Sequence, residues 1–170
     1  MMCASEGANL QLSHSLAELA ASLGIPCEVL NLVSCDLPLY SAAAEASGVP
    51  DAVLSLAEKV RGASGFVFVA PEYNGSLPPV LNNAIAWVSR SGDDWREAFA
   101  KKFAALATHS GGGGHKVLAS MRQQLEHLGC NCLARQLLTT YQEALKPSSA
   151  EAVLGELWEL CSEKNSIQVN

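Results

Sequence analysis

An α/β fold, a parallel sheet with helices on both faces, is what this 170-residue chain predicts from three observations. Strand-like and helix-like stretches alternate from end to end, the order that builds parallel sheets. Two strand candidates, residues 65–70 and 103–108, are short apolar runs, as expected of strands buried on both faces. Each run stops in a loop dense in Pro, Gly, Asn or Ser that leads into a helical pattern. In an open α/β sheet that position, at the carboxyl end of a strand, is where ligands bind.

The elements follow in order. Residues 10–23 carry Leu12, Leu16, Leu19, Ala20 and Leu23 at three- and four-residue spacing, which predicts a helix stopped by Gly24 and Pro26. Residues 27–33 read as a short strand. Residues 35–50 contain Pro38, Gly48 and Pro50 and are expected to be a long connection with a helical turn. A helix over 51–61 ends at Gly62. The strand over 65–70 ends at Pro71, which has no N–H for the ladder. Pro78 and Pro79 suit the first turn of a helix over 79–89. After the break at Ser91-Gly92-Asp93-Asp94 come the strand over 103–108, a loop, and a helix over 115–128 with Val117, Leu118, Met121, Leu125 and Leu128 on one face. A last strand is expected over 131–138. A final helix over 149–163 should turn Leu154, Leu157, Trp158 and Cys161 inward. Residues 1–163 are expected to form one domain and 164–170 a loose tail.

Composition narrows the functional classes. The formal charge of −6, with eleven scattered Lys and Arg, argues against a nucleic-acid surface. No apolar run has membrane-spanning length, and no signal-peptide pattern opens the chain, so a cytoplasmic protein is expected. The six cysteines follow neither a Cys-x-x-Cys nor a disulfide-framework rhythm, and the four histidines are unclustered. Buried, reduced thiols and no metal site are the expectation.

Three segments carry candidate chemistry. The first, Pro71-Glu72-Tyr73-Asn74-Gly75-Ser76, packs turn formers and hydrogen-bonding groups between a buried strand and a helix. The second, Ser110-Gly111-Gly112-Gly113-Gly114, removes every side chain from a short arc, so that backbone N–H groups can approach a planar ligand closely. Its plainer reading is a mobile linker. The third, Ala4-Ser5-Glu6-Gly7-Ala8-Asn9, enters the first helix and offers donors at its positive end, which suits a phosphate. There the alternative is simply an Asn N-cap.

The first of these segments resembles the NAD(P)H-dependent FMN reductase family, flavodoxin-like flavoproteins whose signature is Pro-Glu-Tyr-Asn followed within two residues by Ser. Leu81-Asn82-Asn83-Ala84-Ile85 with Trp87 continues the family's helix. The resemblance implies a flavodoxin-like doubly wound sheet of order 2-1-3-4-5 and an FMN cofactor. It implies that Pro71, Glu72, Tyr73, Asn74 and Ser76 lie against the flavin ring. Ser110, Gly111, Gly112, Gly113 and Gly114 would hydrogen-bond its pyrimidine end, and Ser5 and Asn9 would hold its phosphate. NAD(P)H would be the co-substrate and a quinone, azo compound, metal ion or flavin the small-molecule acceptor. No side chain need be catalytic, because the flavin carries the chemistry. A homo-oligomer, dimer or tetramer, is also implied, with Leu81, Ile85, Trp87 and Val88 either core or interface.

Two departures from the family stand out. The family's phosphate loop has an arginine and a second serine with no counterpart here, and Glu6 brings a negative charge instead. The first strand is reduced to Met1, Met2, Cys3 and Ala4. These features support a second reading, a non-catalytic binding module that has lost its phosphate site. Tyr73 is read equally as a ring contact and as a loop anchor. His109 and His115 flank the glycines and are read either as modulating the flavin ring or, the favoured reading, as facing solvent.

Overall fold

A computed structural model describes residues 1–167, with side chains through Glu163. Among these residues the elements run β1 (Met2–Cys3), α1 (Ala8–Ser22), β2 (Leu30–Asn31), α2 (Ala42–Ala46), α3 (Asp51–Gly62), β3 (Gly65–Val69) and α4 (Pro79–Arg90). They continue with β4 (Phe103–His109), α5 (His115–His127), β5 (Asn131–Cys132), β6 (Leu137–Thr139) and α6 (Pro147–Ile167). The sheet order is β2-β1-β3-β4-β5, with β6 also on β4 and every pairing parallel. The expected 2-1-3-4-5 order is therefore observed.

Alternation along β3 explains why both faces are covered. Phe66 and Phe68 point into a core shared with Leu56, Val60, Ile85, Val88, Leu118 and Leu125 of α3, α4 and α5. Val67 and Val69 point the other way, against Leu12, Leu16, Val153, Leu154 and Leu157 of α1 and α6. Side chains of period two in a strand thus feed two helix layers, and each buried Phe or Leu contributes about 1.5–3 kcal/mol. Lys102 ties the layers at one end, donating from a buried ammonium to the carbonyls of Val60 (2.8 Å) and Arg61 (2.6 Å) at the C-terminus of α3. A cation there meets the negative end of the helix dipole.

Several expectations need correction. β2 is two residues rather than seven, because its partner β1 is two residues and Asn31 folds the chain away beyond them. The Asn31 carboxamide accepts from Val33 N–H and donates to Ser34 Oγ. The strand expected over 131–138 is two strands: Leu133 N–H still donates to the Ala104 carbonyl of β4, residues 134–136 leave the ladder, and Arg122 of α5 takes the carbonyls of Cys132 and Leu133. Trp158 is 40% exposed rather than inward, since it lies one residue off the Leu154–Leu157–Cys161 stripe. Cys27 is exposed and Cys35 and Cys132 are half-buried, so uniform burial fails, although none of the six is in a disulfide. Burial pushes the Cys130 and Cys132 thiols up to about 12 and about 11, leaving both neutral at physiological pH. α6 continues to Ile167, into the stretch expected to be loose, and residues 168–170 of that tail lie outside the described residues. Leu81, Ile85, Trp87 and Val88 are buried within the chain, so core packing accounts for them. Trp87 Nε1 also donates to the Pro38 carbonyl at 2.7 Å and anchors the long connection after β2.

Candidate functional site

Pro71 ends the ladder of β3, and the chain turns back on itself at once. Tyr73 N–H donates to the Ser76 carbonyl (3.1 Å) and Ser76 N–H to the Tyr73 carbonyl (3.0 Å). Asn74 and Gly75 between them have φ of 50° and 74°. Positive φ at both central residues is the mark of the tight two-residue hairpin that Asn-Gly favours. Its tip lies against α5: a Cβ on Gly75 would stand 3.3 Å from Lys116 Cδ. The hairpin thus reaches across from the end of β3 to the first turn after the glycine loop.

The glycine loop follows β4. Ser110 N–H donates to the Thr139 carbonyl (3.0 Å), and Ser110 Oγ accepts from Gly112 N–H (3.3 Å). Gly114, at φ 68°, is the N-cap of α5, and a Cβ there would come within 2.8 Å of Thr108 Cγ2. Only glycine fits, for reasons of conformation and of space. Gly112, in contrast, has nothing within 4 Å of its Cβ position. Gly111 lies beside the ring of Tyr141: a Cβ there would stand 3.4 Å from Tyr141 Cε2.

The N-terminal segment closes the third side. Gly7 caps α1 with φ 67°, and no side chain satisfies the first N–H groups of that helix. Such an end attracts anions. Asn9 is buried and committed elsewhere: its Nδ2 donates to the His109 carbonyl (2.9 Å) and its Oδ1 accepts from His109 N–H (2.8 Å). Asn9 therefore clamps the end of β4 where the glycine loop begins. Ser5 Oγ donates to the Glu6 carbonyl at 3.0 Å.

A crevice of about 710 Å³ at the carboxyl end of the sheet gathers Ser5, Asn9, Pro71, Glu72, Tyr73, Ser110 and Gly111. Its volume is that of a small-molecule site. Asn74, Ser76, Gly112, Gly113 and Gly114 do not line it; the structure places them in the turns that shape its walls. Glu6 also lines the crevice and carries its charge there.

The sequence reading misplaces one residue of the site and misses two. His109 is half-buried rather than solvent-facing, with Nδ1 3.1 Å from Thr139 Oγ1 and its other ring nitrogen buried without a partner. Tyr141 stands edge-on to that ring, centroids 5.0 Å apart at 82°. Val33, just beyond β2, completes the rim. Periodicity gives no sign of any of them; for Tyr141 the available signal is compositional, a lone aromatic in the polar run Thr139-Thr140-Tyr141-Gln142-Glu143. His115 is exposed, as expected.

Two other features bear on the site. None of the described helices is long and apolar enough to cross a membrane, and the described residues contain no His, Cys, Asp and Glu cluster able to hold a metal.

Similar proteins bear on what the crevice holds. A model of the family described as NADPH-dependent FMN reductase matches residues 2–144. A quinone reductase of Escherichia coli is 43% identical over 96 residues, covering 55% of this chain and 50% of that one. An NAD(P)H-dependent FMN reductase of Pseudomonas aeruginosa is 34% identical over 121 residues, covering 68% and 64%. The chain thus spans about half to two thirds of the length of these relatives. Among solved structures, a flavoenzyme NAD(P)H:(acceptor) oxidoreductase from Paracoccus denitrificans superposes with a TM-score of 0.74 at 23% identity, covering 95% of this chain and 93% of that one. An archaeal flavodoxin superposes at 0.66 with 8% identity, over 95% and 96%, which shows a shared fold. Matched over most of its length by the family model, the chain belongs to the NADPH-dependent FMN reductase family.

Proposed function

We propose that the chain is an FMN-containing oxidoreductase that passes reducing equivalents from NAD(P)H to a small acceptor, a quinone in the first instance. The observation that carries this reading is the meeting of the hairpin and the glycine loop at one crevice, beside an uncapped helix N-terminus. We read residues 1–163 as one flavin-binding unit that works in the cytoplasm as a homo-oligomer.

The residues present fit FMN in three respects. The crevice has the volume of a small-molecule site. The bare backbone of Gly111 lies on its wall, with N–H groups suited to the electron-rich edge of a flavin. The first turn of α1 has no side-chain cap, which suits a phosphate. Tyr73 and Pro71 would flank the ring, and Ser5 with the amides of Ala8 and Asn9 would hold the phosphate. Glu6 is the one ill-suited group, since its carboxylate opposes a phosphate dianion.

FMN bound there would supply the redox chemistry, accepting a hydride and returning two electrons. The nicotinamide gives up two electrons and a proton as hydride. A quinone takes up two electrons and two protons, the second proton coming from water. The protein's part is to orient and to exclude. The hairpin, closed by its own two hydrogen bonds, keeps Tyr73 at one side, and Asn9 and Thr139 fix the glycine loop at the other. Co-substrate and acceptor would enter by the same open mouth and so alternate.

The binding-module reading rests on Glu6, the missing arginine and the short first strand. Glu6 is exposed, so solvent screens its charge, and the N–H groups of α1 remain open. Loading the purified protein with FMN and adding NADPH without oxygen tests the choice. Bleaching of the yellow band, restored by a quinone, is the expected result. A colourless protein that ignores added FMN would favour the binding module.

A further inference from the structure

Tyr141 is the most exposed large hydrophobic side chain among the described residues, at 83%. An aromatic ring left in water needs an explanation when its backbone is held firmly, and this one is. Thr140 N–H donates to the Glu143 carbonyl (2.9 Å), and Thr140 Oγ1 accepts from the N–H groups of Gln142 (3.1 Å) and Glu143 (3.0 Å). The preceding residue, Thr139, is bonded through its carbonyl to Ser110 N–H and through its hydroxyl to His109. The ring stands beside Gly111, where the absence of a side chain leaves it room, and packs roughly perpendicular to the His109 ring. Tyr73, 51% exposed, and the partly exposed Val33 line the same crevice from two other elements. Three apolar groups thus rim a crevice that Pro71, Pro78, Pro79 and Val80 also line, beside the polar Ser5, Asn9 and Ser110. A concave site that joins apolar lining to a few placed polar groups is what a small-molecule pocket looks like.

We propose that Tyr141 is an acceptor platform, a specificity-determining ring at the lip of the crevice that stacks on flat aromatic acceptors and favours them over compact ionic ones. The inference rests on the flavin reading given above. A planar quinone gains from an aromatic face already fixed in place, because the entropy of ordering the ring has been lost on folding. A hexacyanoferrate ion, round and strongly hydrated, gains nothing from it.

The test compares FMN-loaded wild type, Tyr141→Phe and Tyr141→Ala. Binding of a hydroxynaphthoquinone to the oxidised protein, with no nicotinamide present, is followed by difference absorbance. The ratio of kcat/KM for that quinone to kcat/KM for ferricyanide is measured alongside. Tyr141→Ala is expected to weaken quinone binding about three- to tenfold and to lower the ratio similarly, with Tyr141→Phe close to wild type. Unchanged quinone binding in Tyr141→Ala overturns the platform, as does an equal loss for both acceptors. Loss of FMN retention with an unchanged ratio would put the ring on the cofactor instead and also overturn it. A wild-type protein that takes up no FMN removes the flavin reading itself, a result distinct from all of these.

Discussion

The hairpin at residues 73–76 closes on itself through two backbone hydrogen bonds, whereas the loop at 110–114 is held almost wholly by residues distant in sequence. Asn9 grips the His109 backbone at its entrance, Thr139 grips Ser110, and Thr108 with Leu138 leaves no room for a side chain at Gly114. One wall of the crevice is therefore a local structure that needs only its own four residues. The other is a tertiary structure, bare of side chains because its shape is imposed from outside. The difference teaches where each wall is vulnerable: the first through turn chemistry, the second through its remote supports.

The largest effect is expected at Gly114. Valine there meets Thr108 at 2.8 Å and must adopt φ near 68°, so Gly114→Val should cost about 2–4 kcal/mol in denaturant unfolding. A loss below half a kilocalorie would mean that the loop is not held as described. Next comes Asn9→Ala, which strands the N–H and carbonyl of His109 and should cost about 2–3 kcal/mol. Its FMN affinity should fall as well, since the loop loses its clamp. Gly75→Ala tests the local wall: φ is 74° and the methyl meets only the flexible Lys116, so about 1 kcal/mol is expected. If Gly75→Ala proves costlier than Gly114→Val, the contrast between the walls is wrong. The smallest effect is at Glu6, which is exposed. Removing its charge in Glu6→Gln should tighten FMN about two- to fivefold at low salt, and the gain should shrink as salt rises. Weaker binding in that variant would make Glu6 a ligand of the cofactor rather than a cost to it.

The same contrast governs how much was legible beforehand. A parallel sheet covered on both faces followed from element order and from apolar runs whose bounds match β3 and β4 closely, because these strands are set by their own residues, while the 2-1-3-4-5 order came from the family resemblance. A turn was legible in the Asn, Gly and Ser of residues 72–76, a local signal, although its closure as a two-residue hairpin was not read from it. Features imposed from a distance were not. β2 is short because β1 is, and the expected strand over 131–138 is interrupted where Arg122, ten residues back, claims carbonyls from Cys132 and Leu133. Asn9 reads as a helix cap or phosphate ligand from its neighbours, yet it is bonded to a residue one hundred positions away. Four consecutive glycines look equivalent in sequence, while the structure separates Gly114, which no other residue can replace, from Gly112, which faces open space. Tyr141 shows the limit: exposure in a rigid turn beside a crevice is a property of the fold, and no spacing rule announces it.

The central claim is that these two walls enclose the flavin ring, and Gly111→Val probes it most directly. Gly111 lines the crevice and is not among the residues of positive φ, and a Cβ there would meet only the exposed Tyr141 ring, at 3.4 Å. Titrating wild type and Gly111→Val with FMN, with flavin fluorescence as readout and thermal unfolding as control, gives the answer. One FMN per wild-type chain, at least about tenfold weaker uptake in the variant and an unchanged melting temperature are predicted. Equal FMN affinity in the two proteins would contradict the account.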